Sequence, residues 1–160
     1  TQNSKLKTQN CLPHSPLPQM KAYEYHHIVS FEETNLVGNV YYANYILWQG
    51  RCREMFLRDR SPGIIKELSQ GLALVTVRVS CDYLSELYAF DNVAIRMRLR
   101  DITQNRITML FEYWRMTDEG EELVAKGEQQ AACMRRQGEK MVATPIPNEL
   151  QSALALYTES

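Results

Sequence analysis

From Lys21 the chain alternates between apolar and polar positions. Tyr23, Tyr25, His27, Val29 and Phe31 share one side, with Ala22, Glu24, His26 and Ser30 between them; this is the signature of a half-buried strand. A turn-rich stretch from Glu32 to Asn39 follows. The period then lengthens, and Tyr41, Tyr45, Trp48, Cys52 and Met55 recur every three or four residues as one stripe of a helix. Because Ile46, Leu47, Gly50 and Leu57 fall on the opposite side, this helix is predicted to be wrapped on most of its circumference. Ser61-Pro62 opens a second short helix through Gln70, with Ser as cap and Pro in the first turn.

Beyond Gly71 the period returns to two. Ala73, Val75, Val77 and Val79 alternate with Leu72, Leu74, Thr76 and Arg78, and Val93, Ile95, Met97 and Leu99 with Arg96, Arg98 and Arg100. Ile107, Met109, Phe111 and Tyr113 form a third alternating run. Asp118-Glu119-Gly120 turns the chain into a last long strand, Leu123 to Arg135. Pro145 and Pro147 break that strand, and Asn148 is expected to cap a short C-terminal helix. One strand, a long buried helix and four long antiparallel strands imply an α+β domain in which a curved sheet rolls around the helix.

The length, 160 residues, suits a single domain. Lys and Arg number 18 against 19 Asp and Glu, a net charge of −1, which removes the basic face that nucleic-acid binding needs. No apolar run approaches the roughly 18 residues of a membrane span. Cys11, Cys52, Cys81 and Cys133 are scattered, without metal-ligand spacing. They read as reduced thiols in a cytoplasmic protein with no structural disulfide. Residues 1–19 are polar and dotted with proline, so they read as a disordered or vector-derived tail, with the folded unit at 20–160. His14 lies in that tail and is set aside.

The chemistry concentrates in Phe31-Glu32-Glu33-Thr34-Asn35-Leu36-Val37-Gly38-Asn39-Val40-Tyr41-Tyr42-Ala43-Asn44-Tyr45, followed by Arg51 and Arg53. This stretch, with Asp91-Asn92-Val93 and Gly127-Glu128-Gln129 further on, resembles the hotdog-fold thioesterases of the 4-hydroxybenzoyl-CoA and acyl-CoA thioesterase type. The shared pattern is an aromatic, an acid, the catalytic position, then Gly-x-Val-x-Tyr-x-x-Tyr and an arginine-rich helix. The resemblance spans about Lys21 to Leu150 and implies a hotdog fold, thioester hydrolysis, no metal or bound cofactor, and a homo-oligomer. A dimer closes the exposed sheet edges, and a tetramer of two dimers is expected.

One position departs from the pattern. Where the family usually carries its catalytic Asp, this chain has Asn35, and no carboxylate stands at Gly50 or Arg53 to replace it. Asn neither gives up nor accepts a proton near pH 7. In this the chain resembles the thioesterases of enediyne antibiotic biosynthesis, which release a linear β-keto polyene from the acyl carrier domain of an iterative polyketide synthase. The resemblance implies that the backbone amide of Tyr42, at the helix N-terminus, holds the oxyanion. Asn35 would position water or the carbonyl, and Arg53 would stabilise the tetrahedral anion or the developing carboxylate. Tyr45 would add a hydroxyl, and Thr76 would orient the substrate. The partner implied is an acyl carrier domain with its phosphopantetheine arm.

Each of these residues also has an ordinary structural reading. Asn35 and Gly38 are common turn residues. Arg53 could pair with Glu54, Asp59 or another subunit's carboxylate. Tyr41, Tyr42, Tyr45 and Trp48 could be core, and Thr76 a satisfied strand hydroxyl. Of His26 and His27 one must face inward, while Arg96, Arg98 and Arg100 form a basic face that is either solvated or docks an acidic partner. A general acyl-CoA thioesterase and a non-catalytic acyl-binding module stay open as alternatives.

Overall fold

A computed structural model describes residues 21–158; the tail at 1–19 lies outside them. The elements are β1 (Tyr23–Ile28), a 3-10 turn (Phe31–Glu33), α1 (Ala43–Arg60), α2 (Pro62–Leu68), β2 (Leu72–Tyr83), β3 (Asn92–Thr103), β4 (Arg106–Thr117), β5 (Gly120–Gln137), β6 (Lys140–Ala143) and α3 (Asn148–Ala155). The strands form one antiparallel sheet in the order β1-β3-β4-β5-β2, with β6 added to β5 just beyond the start of β4. α1 lies across the concave face, giving the hotdog arrangement.

Period-two patterning places Val93, Ile95, Met97 and Leu99 of β3, and Ile107, Met109, Phe111 and Tyr113 of β4, against the helix with less than a tenth of their surface exposed. Tyr45, Trp48, Cys52 and Phe56 of α1 fill the space opposite. Tyr45 packs at 5.1 Å from Trp48, 5.0 Å from Tyr83 and 5.5 Å from Tyr113, in tilted and edge-on pairs.

The helix is not wrapped all round. Leu47 is 63 % exposed and Ile46 and Gly50 are only half-buried, so the flank of α1 beside β2 is open. β2 is itself a sheet edge, and Val75, Val77 and Val79 along it are exposed.

The remaining differences from the sequence reading are local. Phe31 leaves the strand for the 3-10 turn and stacks edge-on against Phe90 at 5.0 Å, both rings exposed. α2 ends at Leu68 rather than Gln70. The last strand runs from Gly120 to Gln137 and turns back through Gly138 into β6, which was not foreseen. Pro147 occupies the cap of α3 and Asn148 is its first helical residue, with the Gln151 amide donating to the Pro147 carbonyl. That bond is the ordinary first turn of the helix, and no side chain caps it, so the expected Asn148 cap is not formed.

Candidate active site

Three structural devices place the residues singled out by sequence. The first is the Asn35 hairpin. Asn35 accepts a 3.0 Å bond from the Val37 amide through Oδ1, its own amide donates to the Asn39 carbonyl, and its carbonyl accepts from Gly38. Gly38 has φ +92°, a conformation that only glycine adopts without strain. The tip carries Leu36 and Val37, both almost wholly exposed. Asn35 is therefore an exposed turn residue with its amide nitrogen left facing solvent.

The second device fixes the leading end of α1. The Glu33 carbonyl accepts from the Tyr41 amide at 2.8 Å and from the Asn44 side chain at 2.8 Å. The Glu33 carboxylate accepts from Trp48 Nε1 at 2.8 Å and the Ser30 amide at 2.9 Å, and pairs with His27 Nε2 at 2.8 Å. Burial alone would raise this carboxyl; the three donors outweigh it and hold it below the ordinary glutamate value. Tyr83 donates to the Tyr42 carbonyl at 2.9 Å from β2. The amides of Tyr41 and Asn44 are taken, whereas those of Tyr42 and Ala43 have no acceptor among the described residues. The helix start thus presents two free N–H groups at its positive dipole end, as an oxyanion hole requires.

The third device holds Arg53. Its Nη1 donates to Gln129 Oε1 at 2.9 Å and to Thr76 Oγ1 at 3.2 Å. A bulge in β2 at Val77 makes this possible: Thr76 pairs with Ala131 and Arg78 with Gln130, so the extra residue resets the alternation. Thr76 before the bulge and Val79 after it can then both face the helix. Glu54 and Asp59, the acids considered as partners, do not bond Arg53. Asp59 instead accepts from Tyr23 at 2.7 Å and pairs with Arg58. Burial pushes the Arg53 pKa down from its ordinary value, while neighbouring Glu54 pushes it up. The guanidinium forms the floor of an open groove of about 500 Å³, walled by Ile46, Leu47, Gly50, Arg51 and Val79. On its other side Arg53 also borders a narrow apolar void of about 10 Å³ between Phe56, Leu74, Met109, Leu150 and Leu154.

The structure brings Thr76 to Arg53 but keeps Asn35 and Tyr42 away from it. Arg53 lies ten residues after Ala43, about 15 Å along the axis, and Asn35 bonds only within its own hairpin. Tyr45 does not join either group: its ring is 3 % exposed within the aromatic cluster, and its hydroxyl lies at the Leu87 backbone. Its phenol is pushed well above the ordinary tyrosine range by burial. Its carbonyl accepts a 2.7 Å bond from Tyr113, so Tyr45 braces the helix. His27 is the inward histidine of the pair, while His26 is exposed beside Glu24. The basic strand face is neutralised: Arg96 pairs with Glu24 and Glu121, Arg98 with Glu112, and Arg100 with Glu128. Sequence reasoning missed Glu33 and Gln129. The only sequence signal for either was membership in a recognised motif.

The rolled sheet over one long helix is the architecture of hotdog thioesterases, and a profile for the thioesterase-like superfamily matches residues 29–154. The chain belongs to that superfamily and is a thioesterase. Among solved structures it is similar to the dynemicin thioesterase, described for induced-fit and allosteric effects upon polyene binding. The two are 46 % identical over 88 % of this chain and 99 % of that one, with a TM-score of 0.85. It also shares its fold with a 1,4-dihydroxy-2-naphthoyl-CoA thioesterase from Synechocystis (18 % identity, 84 % and 96 % coverage, TM-score 0.73). A 4-hydroxybenzoyl-CoA thioesterase variant in complex with 4-hydroxybenzoyl-CoA is likewise similar in fold (16 % identity, 83 % and 98 % coverage, TM-score 0.74). No curated protein matches the chain significantly. No helix among the described residues is long and apolar enough to cross a membrane.

Proposed function

We propose that the protein hydrolyses a linear β-keto polyene thioester carried on the acyl carrier domain of an iterative polyketide synthase, in the cytoplasm, without a catalytic carboxylate. The observation that carries this reading is Arg53: a half-buried guanidinium on the groove floor, bonded to a hydroxyl and an amide and, among the described residues, to no carboxylate. Its positive charge and remaining N–H groups are available to an anion. The likeness to the polyene-binding dynemicin thioesterase supports the substrate class.

Water adds to the thioester carbonyl, and the resulting oxyanion is held by the Tyr42 and Ala43 amides and by the Arg53 guanidinium. Collapse breaks the carbon–sulfur bond, and the proton lost by water ends on the departing sulfur. Thiolate leaves readily, so donor groups alone suffice where an amide would also need an acid. Asn35, with its Oδ1 engaged in the hairpin, offers its NH₂ to the water or the carbonyl. Thr76 fixes the guanidinium, and Tyr45 acts through the packing of the helix. The apolar chain follows the seam behind Arg53, where the 10 Å³ void must widen to admit it. Such opening on binding parallels the induced fit of the dynemicin enzyme.

The Tyr42 and Arg53 backbones are about 16 Å apart along one helix, which favours a working site shared with a second copy. The unpaired β2 edge, the open flank at Leu47 and the bare tip at Leu36 and Val37 support a dimer in which one hairpin reaches its partner's groove. Pairing of two dimers would cover the outer apolar strip of Val75, Val77, Met134 and Met141.

The test is mass analysis of what leaves a polyketide synthase loaded with its product. The parent enzyme should release the chain, with Arg53→Ala at least a hundredfold slower, as expected for loss of an oxyanion donor worth about 3 kcal/mol. Release by Arg53→Ala at the parent rate would refute the mechanism. Faster turnover of free acyl-CoA than of the carrier-bound chain would refute the partner.

A further inference from the structure

Most arginines along this sheet meet carboxylates: Arg96, Arg98, Arg100 and Arg115 of β3 and β4, Arg78 of β2 and Arg135 of β5. Arg53 reaches the same sheet from the helix side and meets Gln129. The neighbouring Glu128 points to the outer face, where it takes Arg78 and Arg100. One strand therefore sets an acid outside and its neutral isostere inside, one residue apart. Gln129 is 3 % exposed, and an ion pair at that point would be the usual way to compensate a half-buried guanidinium.

We infer that Gln129 is a positioning residue whose neutrality is functional: it clamps the Arg53 guanidinium without consuming its charge, keeping it free for the anion formed during hydrolysis. This rests on the proposed role of Arg53. Thr76 completes the clamp on the same Nη1, so Nη2 and Nε remain for the substrate. A carboxylate at position 129 would make a shorter, charge-assisted bond in the same place. It would also cancel the positive charge facing the groove. A merely structural Gln129 would tolerate that exchange, because size, shape and hydrogen bond are retained.

The experiment compares the full-length parent, Gln129→Glu, Gln129→Met and Arg53→Ala. Two readouts are used: hydrolysis of the decanoyl thioester of N-acetylcysteamine, and calorimetric binding of dodecanoate as an anionic product mimic. Gln129→Glu should melt no lower than the parent, yet lose at least tenfold in kcat with KM within about twofold, and bind dodecanoate at least tenfold more weakly. Gln129→Met keeps the charge but loosens the clamp, so kcat should fall severalfold while dodecanoate binding stays within threefold. Parental kcat and dodecanoate affinity in Gln129→Glu, with Arg53→Ala impaired, would overturn this inference alone. Full activity of Arg53→Ala would instead overturn the reading beneath it. Should Gln129→Glu fail to fold, parental kcat in Gln129→Met overturns the inference, as does failure of the parent to bind dodecanoate.

Discussion

Gly127 shows how much of the site depends on a single missing methyl group. A Cβ there would collide with the Gln49 side chain, which crosses from α1 to donate to the Ser80 carbonyl at 3.0 Å. Gln49 is fully buried and sits one helical turn before Arg53, so displacing it tilts the face that carries the guanidinium. Gly127→Ala is expected to destabilise the protein by about 1–3 kcal/mol, the usual range for overpacking, and a lowered urea midpoint at unchanged slope would show it. An unchanged midpoint would mean that Gln49 has another place to go. At this scale Asn35 and Arg53 stood out in the sequence only through the motif that surrounds them, since an Asn in a turn and an Arg on a helix are ordinary by themselves. Gln129 did not, since a glutamine in a strand looks the same whether it faces water or a guanidinium. Its role depends on strand register and on the Val77 bulge, which no local pattern announces.

Among the elements, the periodicities located β1, α1 and the four long strands, because burial on one face writes itself into every second or every third to fourth residue. β6 went unseen since its four residues are all exposed and carry no such alternation. The open flank of α1 went unseen because apolar residues there predict cover without saying whose. The junction of β1, the 3-10 turn and α1 hangs on Glu33, which ties His27, Ser30 and Trp48 together. Its carboxyl is held below the ordinary value, so its contribution is complete above the unfolded-state pKa and lost as pH falls through the lower folded one. Stability should therefore decline below about pH 5. Glu33→Gln should cost about 1–3 kcal/mol at neutral pH, the penalty for disrupting a part-buried charged hub. Its acid limb should be shallower but not flat, because Arg58, Arg96 and Arg115 hold Asp59, Glu121 and Glu122 low as well. Thermal melts from pH 3 to 7 on both proteins measure this, and parallel curves would remove Glu33 from the account.

For the whole molecule, the groups proposed from the sequence stand at separate places within one chain. The free amides at Tyr42 and Ala43 and the guanidinium of Arg53 stand at different points along α1, and the tip of the Asn35 hairpin is exposed. If each working site takes Asn35 from one protomer and Arg53 from its partner, mutants at the two positions must complement one another. Asn35→Ala and Arg53→Ala, each inactive alone, form mixed dimers in which one site carries both changes and the other neither. With random exchange between protomers, half the dimers are mixed and half their sites intact, so about a quarter of parental activity should return. A site built within one protomer would carry one of the two changes wherever it occurred, and mixing would restore nothing. Unfolding and refolding the two variants together at equal concentration, then assaying thioester hydrolysis against each refolded alone, decides between these architectures. The same assay separates shared sites from poor substrate choice, because both separate variants and the mixture see the same thioester.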